Sequence, residues 1–365
     1  MSDVVPIIIP AYEPDDRLLD LLDDLVKADK KNIFVIDCGS NEEYSSLFVR
    51  AKELLQPHGT VISCLEHKGE GSALKSAFSY VLRNMPDAAG VVTVGSECLP
   101  AAESILSVEK KLLDNPGSMV LGVRNFNKEG ISSKSKFGNR LTCKVLQYVS
   151  GISVSDPLSC LRGIPASFLS ECLSIKENGV EFDMEMLLRT SGKMSIVETP
   201  LETADGSTVR SMTHFRPFLD SVKIYRVLCR RFFIFIFSSF SSSIIDLTLF
   251  TLFCYLLKQK FPETYILTST VLARIISACY NYAMNYKKVF HSKAKVATSG
   301  SKYALLAVLQ MSCSALMVNC GKMLLPFLQE TVIKIFVDIF LFFISYKIQQ
   351  KFVYRLRSKK SDLTK

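Results

Sequence analysis

The chain has 365 residues, 48% of them hydrophobic, a mean hydropathy of +0.23 and a formal charge of +9. It is too apolar for a purely soluble protein and, with 22% charged residues, too polar for one lying wholly in a membrane. No aromatic-and-basic signature or zinc-finger spacing points to nucleic acid. The two tendencies separate along the chain: it is mixed up to about Leu219 and dominated by long apolar runs from Phe232 onward.

Strand and helix patterns alternate from the start. Strands are expected over Val4–Ile9, Ile33–Ile36, Val61–Cys64, Val91–Val94 and Met119–Gly122. Helices are expected over Arg17–Val26, Tyr44–Leu55, Ser72–Leu82 and Ala101–Leu113. Such alternation predicts a mostly parallel sheet covered by helices. Ligands of such sheets collect at the carboxyl ends of the strands. The strand Val91–Val94 runs into Gly95-Ser96-Glu97, so Glu97 stands where a carboxylate can hold a divalent cation against a diphosphate.

The opening Val4-Val5-Pro6-Ile7-Ile8-Ile9-Pro10 is short, lacks basic residues and reads as a strand rather than a signal peptide. The 11 cysteines include no C-x-x-C pair, and Cys254, Cys279 and Cys313 fall in apolar runs. Reduced, buried thiols are expected rather than a disulfide framework.

From Phe215 to Arg231 apolar residues share one helical face and Lys223, Arg226 and Arg230 another, a pattern suited to the membrane–water interface. Four segments of membrane-spanning length follow, at about 232–257, 265–286, 303–325 and 331–353. Lysine and arginine crowd the middle loop and the tail and are sparse in the other two turns. Both termini and the middle loop are therefore expected in the cytosol. Charges inside the spans are costly, so Asp246 and Arg274, both near mid-span, are expected to pair, as are Lys334 and Asp338 one turn apart. A run of serines, Ser238, Ser239 and Ser241 to Ser243, allows close helix packing.

Several stretches, in order, resemble family 2 glycosyltransferases of the dolichyl- or polyprenyl-phosphate sugar synthase type. They are Ile9-Pro10-Ala11-Tyr12, Val35-Ile36-Asp37-Cys38-Gly39-Ser40, Gly69-Glu70-Gly71-Ser72-Ala73-Leu74-Lys75 and Val92-Thr93-Val94-Gly95-Ser96-Glu97. Gly122-Val123-Arg124, Phe137-Gly138-Asn139-Arg140-Leu141, Ser155-Asp156-Pro157-Leu158 and Arg162 follow, then Glu181-Phe182-Asp183-Met184-Glu185 and His214-Phe215-Arg216-Pro217. Residues 232–357 are similar to the GtrA-like four-helix membrane family, through Asp246, Arg274 and the stretch Asn281 to Phe290.

The resemblance implies a GT-A domain, a Rossmann-like α/β fold with a mostly parallel sheet, over residues 1–215. A juxtamembrane helix over 216–231 and an all-α four-helix transmembrane domain would follow. It implies transfer of a sugar from a nucleotide-diphosphate sugar to a polyprenyl phosphate such as undecaprenyl phosphate, for cell-surface glycan synthesis, at the cell membrane. Asp156 and Glu97 would be catalytic, with Glu97 holding Mg or Mn. Pro10, Ala11, Tyr12, Asp37, Gly71, Gly95 and Ser96 would bind the nucleotide sugar. Arg124, Arg140 and His214 would bind the acceptor or its phosphate, and Asp246, Arg274, Asn281, Lys334 and Asp338 would be the polar residues of the membrane domain. Homo-oligomerisation stays open.

Five elements depart from the family pattern. Gly95-Ser96-Glu97 stands for D-x-D, Leu99-Pro100 for the Gln-His that often follows, Cys38 for the second Asp of D-D-G-S, Glu70 for a lysine, and Leu158 for the Gln of D-x-Q-x-G. A second reading follows from them: a weakened transferase homologue whose membrane domain binds or translocates lipid-linked sugar.

Overall fold

The computed structural model describes residues 4–63, 69–95, 100–126, 131–201, 217–290, 292, 294–325 and 327–354. The chain divides into two compact units, Met1–Leu228 and Cys229–Lys365.

The first unit is mixed α/β. Strands β1 (Ile7–Ala11), β2 (Ile33–Asp37), β3 (Gly59–Ser63) and β4 (Gly90–Val94) alternate with helices α1 (Arg17–Lys27), α2 (Ser45–Leu54), α3 (Glu70–Asn84) and α4 (Ala102–Asp114). Next come β5 (Met119–Val123), α5 (Ser133–Ser150), β6 (Leu161–Pro165), α6 (Ala166–Leu173), α7 (Glu181–Arg189) and β7 (Ile196–Pro200). The first strand begins at Ile7 rather than Val4, although the carbonyls of Val4 and Pro6 still accept from the amides of Ala89 and Val92.

The strands form one seven-stranded sheet in the order β3-β2-β1-β4-β6-β5-β7, and only β6 runs against the rest. Leu18, Leu22 and Leu25 of α1 recur at helical spacing and pack on Ile7, Ile9, Ile33 and Val35. Each such side chain contributes about 1.5–3 kcal/mol when fully buried.

Register decides what the sheet presents at its edge. Ala11 lies beside Asp37, Asp37 beside Ser63, and Val123 beside Pro200. Val94 and Gly122 both face Leu161, the first residue of the reversed strand. The residues after β1, β2, β4 and β5 and those just before β6 therefore meet along one edge.

The second unit is helical. Helix α8 (Pro217–Leu257) begins in the first unit, and α9 (Tyr265–Met284), α10 (Val296–Leu324) and α11 (Glu330–Ile348) follow. The expected break between an interfacial helix ending at Arg231 and a span starting at Phe232 is absent. No glycine or proline lies between Phe218 and Leu257, and Pro217 suits a first helical position, so the helix runs unbroken. Helix α10 starts at Val296, seven residues before the expected Tyr303.

Two helical stretches among the described residues, Leu219–Leu257 and Val296–Gly321, are long and apolar enough to cross a membrane by length and composition. Helices α9 and α11 each end in a π-helical turn, Asn285–Val289 and Gln349–Val353. There the buried Asn285 Nδ2 donates to Gln349 Oε1 at 3.1 Å, and Phe290 stacks on Tyr354 at 4.9 Å.

Candidate functional site

Among the described residues, the carboxyl edge of the sheet collects Tyr12, Asp37, Arg124 and Asp156 of the polar residues singled out in the first unit. Pro10 and Ala11 close β1, with Tyr12 just beyond. Asp37 closes β2, and its Oδ1 accepts from the amides of Gly39 (3.1 Å) and Ser40 (2.9 Å). That tight turn holds the carboxylate in place, and Ser40 Oγ accepts in turn from the amide of Glu13 at 2.9 Å. The chain from β3 re-enters the edge at the start of α3.

Two glycines at that entry have steric reasons. Gly69 has φ of +91°, and a Cβ there would meet the carbonyl oxygen of Asn178 at 2.5 Å. A Cβ on Gly71 would meet Phe182 at 2.5 Å, so this glycine lets α3 close on α7. Lys75 braces the same junction, donating to the carbonyls of Ile175 (2.8 Å) and Glu177 (2.9 Å) and to Asn178 Oδ1 (2.5 Å). Burial lowers the pKa of its ammonium.

The amide of Gly95, just past β4, donates to the carbonyl of Cys160 at 2.6 Å. A Cβ at Gly95 would stand 3.2 Å from Cys160 Cβ and 3.3 Å from both Cys160 O and Glu70 Oε1. The Glu70 carboxylate therefore borders the space an acidic side chain at position 95 would need. Ser96, Glu97 and His214 lie outside the described residues.

Across the edge, Arg124 and the fully buried Asp156 form a bidentate pair, Nε to Oδ2 at 2.7 Å and Nη2 to Oδ1 at 2.8 Å. The Arg124 amide adds a third bond to Asp156 Oδ2 at 3.2 Å, Nη2 reaches the Leu158 carbonyl at 3.1 Å, and the guanidinium lies 5.1 Å from the centre of the Phe126 ring. Planar fork-to-fork pairing of this kind is among the stronger polar contacts. The neighbouring Ser155 is held by Glu198 of β7 through its amide (2.5 Å) and hydroxyl (2.7 Å). Nothing in the sequence signalled that bond.

Arg162 is almost wholly buried inside β6 and donates to the carbonyls of Ser159 (3.0 Å), Asp183 (2.8 Å) and Pro157 (3.4 Å). Its Nη2 lies 3.4 Å from the Asp183 carboxylate, whose pKa burial raises. This cation fixes the 157–159 turn under the Arg124–Asp156 pair. Arg140 is separate, on the outward face of α5.

Cys160 is disulfide-bonded, which corrects the expectation of uniformly reduced thiols. Eight other described cysteines are free. No cysteine spacing in the sequence marks Cys160 for such a bond.

The described residues do not fit a metal centre. None of them form a group of three or more histidine, cysteine or acidic side chains placed to hold an ion. Both oxygens of Asp156 are engaged by Arg124, one oxygen of Asp37 serves its own turn, and Gly95 brings no ligand.

In the helical unit Arg274 and Asp246 approach to 3.4 Å, with the arginine side chain 67% exposed. Ser277 Oγ donates to Asp246 Oδ1 at 2.8 Å, and Ser242 Oγ donates to the Ser277 carbonyl at 2.8 Å. One turn on, Asn281 accepts from Ser238 (2.9 Å) and donates to Tyr303 (3.0 Å). Asp338 accepts from Ser314 at 2.7 Å, while the Lys334 side chain lies outside the described residues.

Fold and site together define a two-part protein, an α/β unit with a polar carboxyl edge followed by a helical unit with two membrane-length helices. No family model matches the chain, and no curated protein matches it. Among solved structures it is similar to one described as a mycobacterial protein, with a TM-score of 0.46 and 16% identity over 62% of this chain and 74% of that one.

Proposed function

We propose that the chain is a membrane-bound family 2 glycosyltransferase with a GT-A domain. It transfers a sugar from a nucleotide-diphosphate sugar to a polyprenyl phosphate for cell-surface glycan synthesis. One observation carries this reading most. The order β3-β2-β1-β4 reverses direction of growth between β1 and β4, a topological switch point. Open α/β sheets bind ligands at such a switch point, and the stretches that resemble the transferase family around Tyr12, Asp37 and Gly95 follow β1, β2 and β4, with those around Arg124 and Asp156 further along the same edge.

In this reading Asp37 hydrogen-bonds the nucleoside. A phosphate oxygen of the acceptor attacks the anomeric carbon, the bond from that carbon to the diphosphate breaks, and the nucleoside diphosphate departs. The acceptor is already an anion, so a strong general base is not required. Arg124, oriented by Asp156, meets charge developing on the leaving diphosphate. Mg or Mn would supply Lewis-acid neutralisation if bound, but the described side chains gather no ligand set for it. The four helices α8 to α11 span the cell membrane, and the first unit and the tail stay in the cytosol, as the basic loops suggest.

The engagement of both Asp156 oxygens and the polar ladder of the helical unit favour the second reading, in which catalysis is weak and the helices bind or translocate the lipid-linked sugar. Transfer from a panel of nucleotide sugars to undecaprenyl phosphate, in reconstituted full-length protein, separates the two. Turnover that falls about 10²–10³-fold in Arg124→Lys supports the first. No turnover with any donor supports the second.

A further inference from the structure

Among the described cysteines eight are free, and Cys160, which is bonded, borders the candidate site. It stands between the turn that carries Asp156 and Leu161, the first residue of β6. Beside it β4 ends: Val94 pairs with Leu161, and the Gly95 amide donates to the Cys160 carbonyl at 2.6 Å. A Cβ on Gly95 would stand 3.2 Å from the Cys160 Cβ.

Of the 11 cysteines only Cys64 and Cys98 remain as partners within the chain, and both lie outside the described residues. Chain geometry decides between them. A disulfide holds its two Cα atoms within about 7 Å. Cys64 follows directly on Ser63, the last residue of β3, and β3 stands four strand positions from β6. At about 4.8 Å per position that is roughly 19 Å, and one further residue recovers only about 3.8 Å. Cys98 comes three residues after Gly95, which already lies against Cys160. Three residues span at most about 11 Å, so Cys98 is the partner within reach.

We propose that Cys160 is a redox-sensitive site, clasped to Cys98 when oxidised and released when reduced. Oxidation ties the segment after β4, which contains Glu97, to the turn that carries Asp156. Three observations select a switch over a scaffold bond. The other described thiols are free, so no disulfide framework holds the fold. The bond joins two strands already paired from Gly90–Pro165 to Val94–Leu161, so their union does not need it. The first unit is also read as cytosolic, where disulfides are mostly transient, catalytic or redox-sensing.

Closure is a two-electron exchange with glutathione disulfide. One cysteine thiolate attacks a sulfur of glutathione disulfide and expels a glutathione thiolate. The second cysteine thiolate attacks the resulting mixed disulfide and expels the other glutathione. The two cysteines are oxidised, the two protons end on two glutathione thiols, and excess reduced glutathione runs both steps backward. Ordering the segment after Gly95 in advance lowers the entropy lost when a ligand binds there. The oxidised form should therefore hold a nucleoside diphosphate more tightly. That consequence rests on the proposed donor site, whereas the clasp does not.

The test uses full-length protein in lipid nanodiscs, equilibrated with glutathione disulfide or with excess reduced glutathione. Thiols are trapped with N-ethylmaleimide, and unreduced digests are mapped by mass spectrometry. The proposal expects a Cys98–Cys160 cross-link with glutathione disulfide and its loss in reduced glutathione while the protein stays folded. Hydrogen exchange at the Gly95 amide should quicken about tenfold on reduction, and Cys98→Ser should remove that difference. UDP or GDP should bind the reduced protein about tenfold more weakly, and Cys98→Ser equally under both conditions. A cross-link that survives excess reduced glutathione in folded protein makes the bond static and overturns the proposal. A Cys64–Cys160 link, or no link with glutathione disulfide, overturns it as well. A clasp that opens and closes without nucleotide binding in either state supports the redox site and overturns the donor site instead. Equal nucleotide affinity in both states overturns the control of binding.

Discussion

The two units solve opposite solvation problems. Residues 1–228 carry 25 lysines and arginines against 30 acids, residues 229–365 carry 19 against 5, and the internal order follows that difference. In the first unit the apolar side chains of β1, β4 and β6 in the sheet are buried, and Lys75, Arg124 and Arg162 are tied down, Arg162 by three carbonyls and Asp183. In the second the large apolar side chains face outward, among them Phe237, Phe240, Leu247 and Phe336, while serines and amides line the helix contacts. The first unit is ordered around charge, the second around small hydrogen-bonded groups. Their responses to mutation should differ accordingly.

The largest effect is expected where charge is most deeply enclosed. Arg162→Ala strands Asp183 and three carbonyls in the interior and should cost about 3–5 kcal/mol, read as a lowered denaturation midpoint of the first unit. A loss under about 1 kcal/mol would mean that water replaces the guanidinium and that the unit is less tightly closed than its contacts indicate.

Position 95 comes next. Gly95→Asp sets a carboxylate against Glu70 Oε1 and Cys160, since even its Cβ would lie 3.2–3.3 Å from them. Crowding and like charge should cost about 1–3 kcal/mol. Gly95→Asp with Glu70→Lys should recover most of that, giving a coupling of at least about 1 kcal/mol. Additive effects would show that Glu70 does not control this corner of the site.

In the helical unit the same kind of experiment should move little. A double-mutant cycle on Asp246 and Arg274, read as unfolding in detergent or lipid, should give about 0.6 kcal/mol, the average for polar contacts between membrane helices. The 3.4 Å separation and the exposed guanidinium argue against a tight pair. Coupling above about 2 kcal/mol would place Arg274 in a closed, dry site and erase the contrast between the units.

The same contrast marks what the sequence made legible. Where burial follows simple periodicity the reading is close: β2 and β4 and the helices α1, α2 and α4 lie within a residue or two of expectation, and α9 starts at the expected Tyr265. Strand β6, Leu161-Arg162-Gly163-Ile164-Pro165, gave no signal, because a buried arginine, a glycine and a proline break the apolar pattern and tertiary bonds pay for the charge. Helix α5 was missed because Ser133-Lys134-Ser135-Lys136 and the Gly138-Asn139 pair read as a loop, and its apolar residues are split between the buried Leu146 and Val149 and the exposed Phe137 and Leu141. Arg124 and Asp156 were both singled out, but their union depends on β5 and the turn before β6 arriving at one edge. Strand order, not spacing, decides that. Helix α8 ran past its expected boundary because a change from basic to apolar composition is no helix breaker.

The central claim is that the switch point between β1 and β4 receives a nucleoside diphosphate. Hydrogen exchange of the full-length protein in lipid nanodiscs, with and without saturating UDP or GDP, tests it directly. Protection should rise about tenfold or more at the amides of Tyr12, Gly39, Ser40 and Gly95, with little change in α9 to α11. No protection with either nucleotide, or protection confined to the helical unit, would contradict it.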